Sequence, residues 1–444
     1  MKLSLKSFTT KLSSALAACL VLSSVSSYAG EEDWKEFEAE VKKDLRSKVV
    51  AEKINTINRF SDHDHEDGGE FLVKYTYKER KNTSIADAAG KVLAKFKNPE
   101  TRELLQKYAT NSPGACLPIL SAYLSQPSED TKEFALNILG KSGVKSPVMT
   151  QAVMHLGTHS SDDPKVLAKL ATLLVDKSFH SVRRATADAL GGMGNIQAVP
   201  VLIPYVGDLV IDTRAQDALY RLTGQQFKKD KKAWTAWWEK NKGSAKPAGI
   251  SEKDAEGQRE EIVAKDEANA KKNGGGLESF YGEPITGKSI LFVLDRSGSM
   301  SSDGRMDKMK EELKYMIASI NENRSFGFVL FPLDSYPGKG VAKADASFKR
   351  RATSYVDKLE PTGTTPISEA MEHAFKRVVV KKNVDTIYLL SDGAPNKPAA
   401  EVLALINGLN AGYYVQIHTV SIGADSQFLK DVAADNNGNY RAVK

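Results

Sequence analysis

Between residues 290 and 443, short apolar runs alternate with longer amphipathic ones, and this alternation limits the fold more than any other feature of the 444-residue chain. Residues 290–294, 326–331, 386–390, 415–420 and 440–443 read as strands. Residues 306–320, 348–359, 366–379, 402–409 and 428–434 carry apolar groups at helical spacing. In the third of these helices Ile367, Ala370, Met371, Ala374, Phe375 and Val378 share one side. Strand and helix in turn predict an α/β doubly wound, Rossmann-like domain, with a mostly parallel sheet covered on both faces.

The region before it is different. From residue 30 to 242 helical periodicity dominates, which predicts an all-α part and a multidomain chain. Asp163-Pro164 is a helix start, Asp as cap and Pro in the first turn. Val166, Leu167, Leu170, Leu173 and Leu174 follow on one face. A second helix begins near Ser181, turns Val182, Ala185, Ala189 and Leu190 inward, and stops at Gly191–Gly194. A third places Ala198, Val201, Leu202, Tyr205 and Val206 on one stripe. FALNILGKSG (from Phe134), ATADALGGMG (from Ala185) and RAQDALYRLTG (from Arg214) each join an apolar face to a glycine stop. The stretch VRRATADALGGMGNIQAVPVLIPYV resembles a HEAT repeat, a helix pair that stacks into a solenoid and would offer a broad protein-interaction surface. Trp234, Trp237 and Trp238 are expected to close the open end of that core.

Composition separates the two parts. Residues 243–281 are rich in Lys, Glu, Asp, Ala and Gly, ending in a glycine run, and read as a linker. Residues 1–29 read as a secretory signal peptide: three lysines, an apolar small-residue stretch, then Ser27-Tyr28-Ala29 as a cleavage site. That predicts export to a periplasm, a cell envelope or the medium, in a bacterial style. Leu16-Ala17-Ala18-Cys19 is the alternative of a lipoprotein anchor. Cleavage would leave Cys116 alone, expected as a small buried residue without a disulfide. It would also remove three lysines from a formal charge of +6, leaving a balance too mild to argue for nucleic acid. No later segment is long and apolar enough to span a membrane.

Candidate chemistry begins where the first strand ends. In SILFVLDRSGSM the apolar run stops at Asp295, and Ser297 and Ser299 follow at two-residue intervals. One carboxylate and two hydroxyls on a loop at a strand's carboxyl end make a concavity of hard oxygens, which suits Mg²⁺ with positions left for water. Two further loops reach the same rim: PTGTTPISEAM, with Thr364 and Thr365 before a helix, and YLLSDG, with Asp392. The crevice at strand carboxyl ends is where open α/β sheets bind ligands.

In this ordered combination, residues 282–444 resemble the von Willebrand factor A domain with its metal-ion-dependent adhesion site. The resemblance implies Asp295, Ser297, Ser299, Thr365 and Asp392 as metal ligands. In the family's Gly-Gly-Thr-Pro loop the second glycine corresponds to Thr364 here, so the choice between Thr364 and Thr365 stays open. It also implies Mg²⁺ as cofactor, with Mn²⁺ or Ca²⁺ as substitutes, and a protein partner whose Asp or Glu carboxylate completes the coordination. An adhesion or protein-binding role without catalysis follows as the expectation.

Enzyme readings fit less well. Asp295-Arg296-Ser297 lacks the second carboxylate of an aspartyl-phosphatase, and neither serine sits in a GxSxG elbow. Neither a Walker sequence nor a Rossmann fingerprint is present. His373 and His418 fall within helix and strand patterns. A metal-assisted hydrolase and an envelope protein whose metal only stabilises the fold are the alternatives. Asp62-His63-Asp64-His65-Glu66-Asp67 reads as a solvated acidic loop, lacking the glycine placement and distal acid of an EF-hand.

Overall fold

The computed structural model describes residues 33–443 except 80–81, 112, 176–177, 256, 259–277 and 339. The expected signal peptide, Cys19 and most of the expected linker lie outside the described residues, as does the side chain of Cys116. Two compact units divide the chain, 1–134 and 135–444, so the division runs through the helical region.

The first unit is helical. Val50–Arg59, Glu66–Lys78, Thr83–Leu93, Pro99–Asn111 and Pro113–Leu124 are its main helices. The acidic stretch joins two of them: Asp64 accepts from the backbone N–H groups of Lys97 at 2.6 Å and Asn98 at 3.1 Å. His65 caps the helix that follows, accepting from Asp67 N, and its ring stacks on Trp34. Among the described residues, no three His, Cys, Asp or Glu side chains converge as a metal cluster.

The second unit begins with five principal helices: α1 (Ser146–His159), α2 (Pro164–Ala171), α3 (His180–Gly192), α4 (Asp212–Thr223) and α5 (Lys231–Asn241). Asp163 caps α2 as expected, its carboxylate accepting from Lys165 N. Helices α1 and α3 touch at Gly157, where a Cβ would stand 2.5 Å from Ala189 Cβ; α3 and α4 touch at Gly191, where one would stand 2.7 Å from Ala218 Cβ. The repeated Ala-and-Gly pattern is thus a close-approach device. The third expected helix is broken into a 3-10 turn (Ile196–Ala198), one α turn (Val199–Leu202) and another 3-10 turn (Ile203–Tyr205). Pro200 and Pro204 remove the N–H groups a continuous helix needs. Trp234 and Trp238 are buried in α5, and Trp237 half-buried, as the expected cap requires.

Behind a two-stranded antiparallel hairpin (Ser279–Phe280 with Glu283–Pro284), the α/β part is built on a seven-stranded sheet: β1 (Ser289–Asp295), β2 (Ser325–Phe331), β3 (Asp334–Tyr336), β4 (Ala342–Lys343), β5 (Thr386–Ser391), β6 (Gln416–Ile422) and β7 (Tyr440–Val443). Their order is β3-β2-β1-β5-β6-β7, with β4 also on β2. The pairs β1–β2, β1–β5, β5–β6 and β6–β7 are parallel; β3 and β4 run antiparallel to β2. Ile290, Phe292 and Leu294 face α6 (Arg305–Ser319) and α7 (Ala346–Asp357). Leu291 and Val293 face α8 (Ile367–His373), α9 (Ala399–Asn410) and α10 (Gln427–Asp435). This alternation makes every residue of β1 buried, which is why its sequence is a continuous apolar run. The predicted helix over 366–379 continues past α8 as a π-turn, Ala374–Val379, with the expected apolar set inside.

The helices of the second unit pack against the amino-terminal edge of this sheet. Asp385, immediately before β5 and 1% exposed, is the focus. Its carboxylate accepts from the N–H groups of Lys288 and Ser289, each at 3.0 Å, at the start of β1. From α3, His180 Nδ1 stands 2.7 Å away and the Arg184 guanidinium 3.5 Å. Arg184 also donates to the Asp385 carbonyl and to Thr386 Oγ1. Burial by itself would raise the Asp385 pKa, but His180, Arg184 and the N–H groups hold the carboxyl below its ordinary value. Burial in turn pushes Arg184 down to about 10, against the opposing pull of Asp385.

Candidate metal centre

The order in which strands are added to the sheet reverses between β1 and β5, although the two run parallel. From β1 the chain moves to β2 on one side, and later returns to β5 on the other. The loops leaving β1 and β5 therefore diverge, and the crevice between their carboxyl ends is the switch point of a doubly wound sheet. Asp295 is the last residue of β1, and Ser391 the last of β5, with Asp392 next in the loop.

Four of the five expected side chains gather there in one hydrogen-bonded chain, its first link made by the Ser297 backbone N–H and the others by hydroxyls. Asp295 is fully buried; its Oδ1 accepts from Ser297 N at 2.8 Å, which folds the loop back over the strand end. Ser297 Oγ and Ser299 Oγ are 2.9 Å apart, and Ser299 Oγ donates to Asp392 Oδ1 at 2.9 Å. Ser391 closes the base by donating to Asp295 Oδ2 at 2.7 Å. Ser297 and Asp392 are buried, while Ser299 is exposed at the rim.

The threonine loop is brought alongside through its backbone. Gly298 N donates to Gly363 O at 3.0 Å, and Thr362 N to Arg296 O at 2.6 Å. Gly363 has φ +72°, and a Cβ there would stand 2.4 Å from Pro332 Cγ, so this turn admits only glycine. Thr365 is half-buried, its carbonyl accepting from Ile367 N at 3.0 Å and from Asn396 N at 3.4 Å in the loop after Asp392. Thr364 is exposed. The backbone thus ties all three loops together.

Electrostatics sets Asp295 apart. Burial pushes its carboxyl above the ordinary value; hydrogen bonds from Ser297 and Ser391 oppose this, and the nearby Asp392 charge adds to it. Among the described residues no cation pairs with Asp295. A buried carboxylate supported only by neutral donors, beside two linked hydroxyls that end on a second carboxylate, is a donor set that fits a hard divalent cation.

Two residues of the site were not predicted. Ser391 is the strand-end serine of YLLSDG, a position that could be read as part of the turn. Arg305, the first residue of α6, donates from its Nη1 to Asp392 Oδ2 at 2.9 Å and from its Nη2 to Asp303 Oδ2 at 3.1 Å. A signal for it existed, since a cation at a helix amino terminus is on the wrong end of the dipole and needs a carboxylate nearby. His418 is buried at the other end of the sheet, with Thr286 Oγ1 3.1 Å from its Nε2, and its Nδ1 accepting from Asn439 N at 3.1 Å. His373 lies half-buried on α8, where burial lowers its pKa.

Two family models agree with the fold. Residues 288–442 match the family model of the von Willebrand factor type A domain, and residues 182–208 that of the PBS lyase HEAT-like repeat. Inter-alpha-trypsin inhibitor heavy chain H2 of Sus scrofa is 26% identical over 207 residues, covering 41% of this chain and 22% of that protein. The uncharacterized protein YfbK of Escherichia coli (strain K12) is 25% identical over 114 residues, covering 25% of this chain and 20% of that one. The chain therefore spans about a fifth of the length of these curated relatives. A solved von Willebrand factor type A protein from Catenulispora acidiphila aligns at 22% identity with a TM-score of 0.33, covering 36% of this chain and 39% of that one. Among the described residues, no helix is long and apolar enough to cross a membrane. Residues 288–442 are a von Willebrand factor type A domain, carried behind a helical region that contains a HEAT-like repeat.

Proposed function

We propose that this domain binds a divalent cation, Mg²⁺ foremost with Mn²⁺ or Ca²⁺ as substitutes, and through it captures an Asp or Glu carboxylate of a protein partner. Asp295, Ser297, Ser299, Asp392 and the threonine loop, through Thr365, would hold the ion. The observation that carries the reading is the hydrogen-bonded chain that gathers Asp295, Ser297, Ser299 and Asp392 at the switch point. Two carboxylates and a few hydroxyls underfill a six-coordinate ion, so the bound cation supplies a Lewis-acid position open to an external oxygen. Asp295 would contribute the dominant charge, Ser297 and Ser299 neutral oxygens, and Asp392 the second carboxylate.

Binding is preferred to turnover because the described rim offers no His beside the serines: His418 lies at the opposite end of the sheet. The chain would act as an exported binding protein, the amino-terminal segment serving as its signal and the helical repeats as a second interaction scaffold. Calorimetric titration tests the site: Mg²⁺ should bind the wild type, and Asp295→Ala should abolish the heat. Unchanged binding in that variant would sink the assignment, whereas metal-dependent hydrolysis lost in Asp295→Ala would favour the hydrolase.

A further inference from the structure

The two oxygens of Asp392 are used differently. Oδ1 faces Ser299 within the hydrogen-bonded chain, and Oδ2 is held by the Arg305 guanidinium. Arg305 is confined from three sides. Asp392 and Asp303 bind its terminal nitrogens, and Gly423, at the end of β6 with φ +89°, lies beneath the head. A Cβ at Gly423 would stand 2.8 Å from Arg305 Nε and 2.9 Å from Cζ, so a residue with no side chain makes the berth. The Arg305 side chain retains 20% exposure against 2% for Asp392, placing the guanidinium between the buried carboxylate and the rim. Its Nε is buried without a hydrogen-bond acceptor, a cost that would be avoided if the head were free to swing to solvent.

Charge counting gives this arrangement a consequence. Asp295 and Asp392 together would neutralise a divalent cation; with Arg305 fixed on Asp392, and its other partner Asp303 77% exposed and screened by solvent, the buried part of the centre carries one net positive charge. A cationic centre binds its metal less tightly and gains more from an external anion than a neutral one does. Resting on the metal-site reading above, we propose that Arg305 is a built-in second cation of the site. It weakens metal binding by the free protein, and makes metal and partner carboxylate bind cooperatively in preference to any neutral ligand.

Mg²⁺ titration of the full chain by calorimetry tests this, in chloride and in acetate at equal low ionic strength, with acetate as the carboxylate probe. Wild type should bind Mg²⁺ more tightly in acetate than in chloride. Arg305→Gln should bind Mg²⁺ about tenfold more tightly in chloride and lose most of the acetate gain. Arg305→Lys, which keeps the charge, should stay within about threefold of wild type in both. The position is partly exposed, so thermal melts of both variants should show the folded protein. Equal or weaker Mg²⁺ binding by Arg305→Gln, or an undiminished acetate gain, overturns the proposal. Asp295→Ala separates the two failures. Metal binding that depends on Asp295 but not on Arg305 defeats only the role of Arg305, whereas no Asp295-dependent binding in any variant defeats the metal reading itself.

Discussion

The sheet carries a buried aspartate at each end, and the two are treated in opposite ways. Asp385, at the amino-terminal edge, meets His180, Arg184 and two backbone N–H groups, and its carboxyl is held below the ordinary value. Asp295, at the carboxyl rim, is as deeply buried but meets only Ser297, Ser391 and the charge of Asp392, and its carboxyl is pushed up. Residue type and burial are the same; the difference is whether the protein supplies the counter-cation. At one end the charge is compensated within the fold, and the layer of helices is fastened to the sheet by it. At the other no cation among the described residues pairs with Asp295, which is the condition the proposed cation site requires.

Breaking the compensated end should have the largest effect. Asp385→Asn would leave Arg184 buried without its counter-charge, and should lower stability by about 3–5 kcal/mol in urea unfolding. A loss under about 1 kcal/mol would mean that the pair contributes little. The pH dependence follows from the same group. Because its folded pKa is depressed, its stabilisation is fully present above about pH 4, the unfolded value, and is lost as pH falls through the folded value below that. The deficit of Asp385→Asn relative to wild type should therefore shrink in acid, measured as the gap between unfolding midpoints.

At the uncompensated end the outcome should be reversed. Asp295→Ala should change metal-free stability by less than about 1.5 kcal/mol, since it relieves a buried charge as it opens a small gap, and should remove the rise in Tm that Mg²⁺ gives the wild type. A large metal-free loss would make Asp295 a structural residue like Asp385. The smallest expected effect sharpens the rim itself. Thr365→Val should weaken Mg²⁺ binding about tenfold, and Thr364→Val should leave it within about twofold, by calorimetry. The reverse order would assign the exposed threonine as the ligand.

Much of the rim was legible before the structure because its residues sit at strand ends. Asp295 and Asp392 each stop a short apolar run, and runs of that length alternating with helical patterns read as interior strands whose carboxyl ends open on the crevice. Ser297 and Ser299 are two and four residues further on, so local spacing was enough. Arg305 was missed because its role depends on Gly423 and Asp392, both distant in sequence. Ser391 was visible but looked like a turn residue. Over 196–205 the apolar stripe predicts one helix, but Pro200 and Pro204 divide it into three short turns. Asp385 offered no local signal at all, since its partners His180 and Arg184 lie some two hundred residues earlier.

Periodicity and strand-end chemistry, properties of neighbouring residues, were sufficient to determine the helical region, the doubly wound domain, and four oxygen donors on one rim. Tertiary structure alone decided where the charges are balanced, because a buried carboxylate takes its pKa from whatever packs within a few ångströms, regardless of sequence distance. That packing joined α3 to the start of β5, set Arg305 against Asp392, and left Asp295 without a cation of its own.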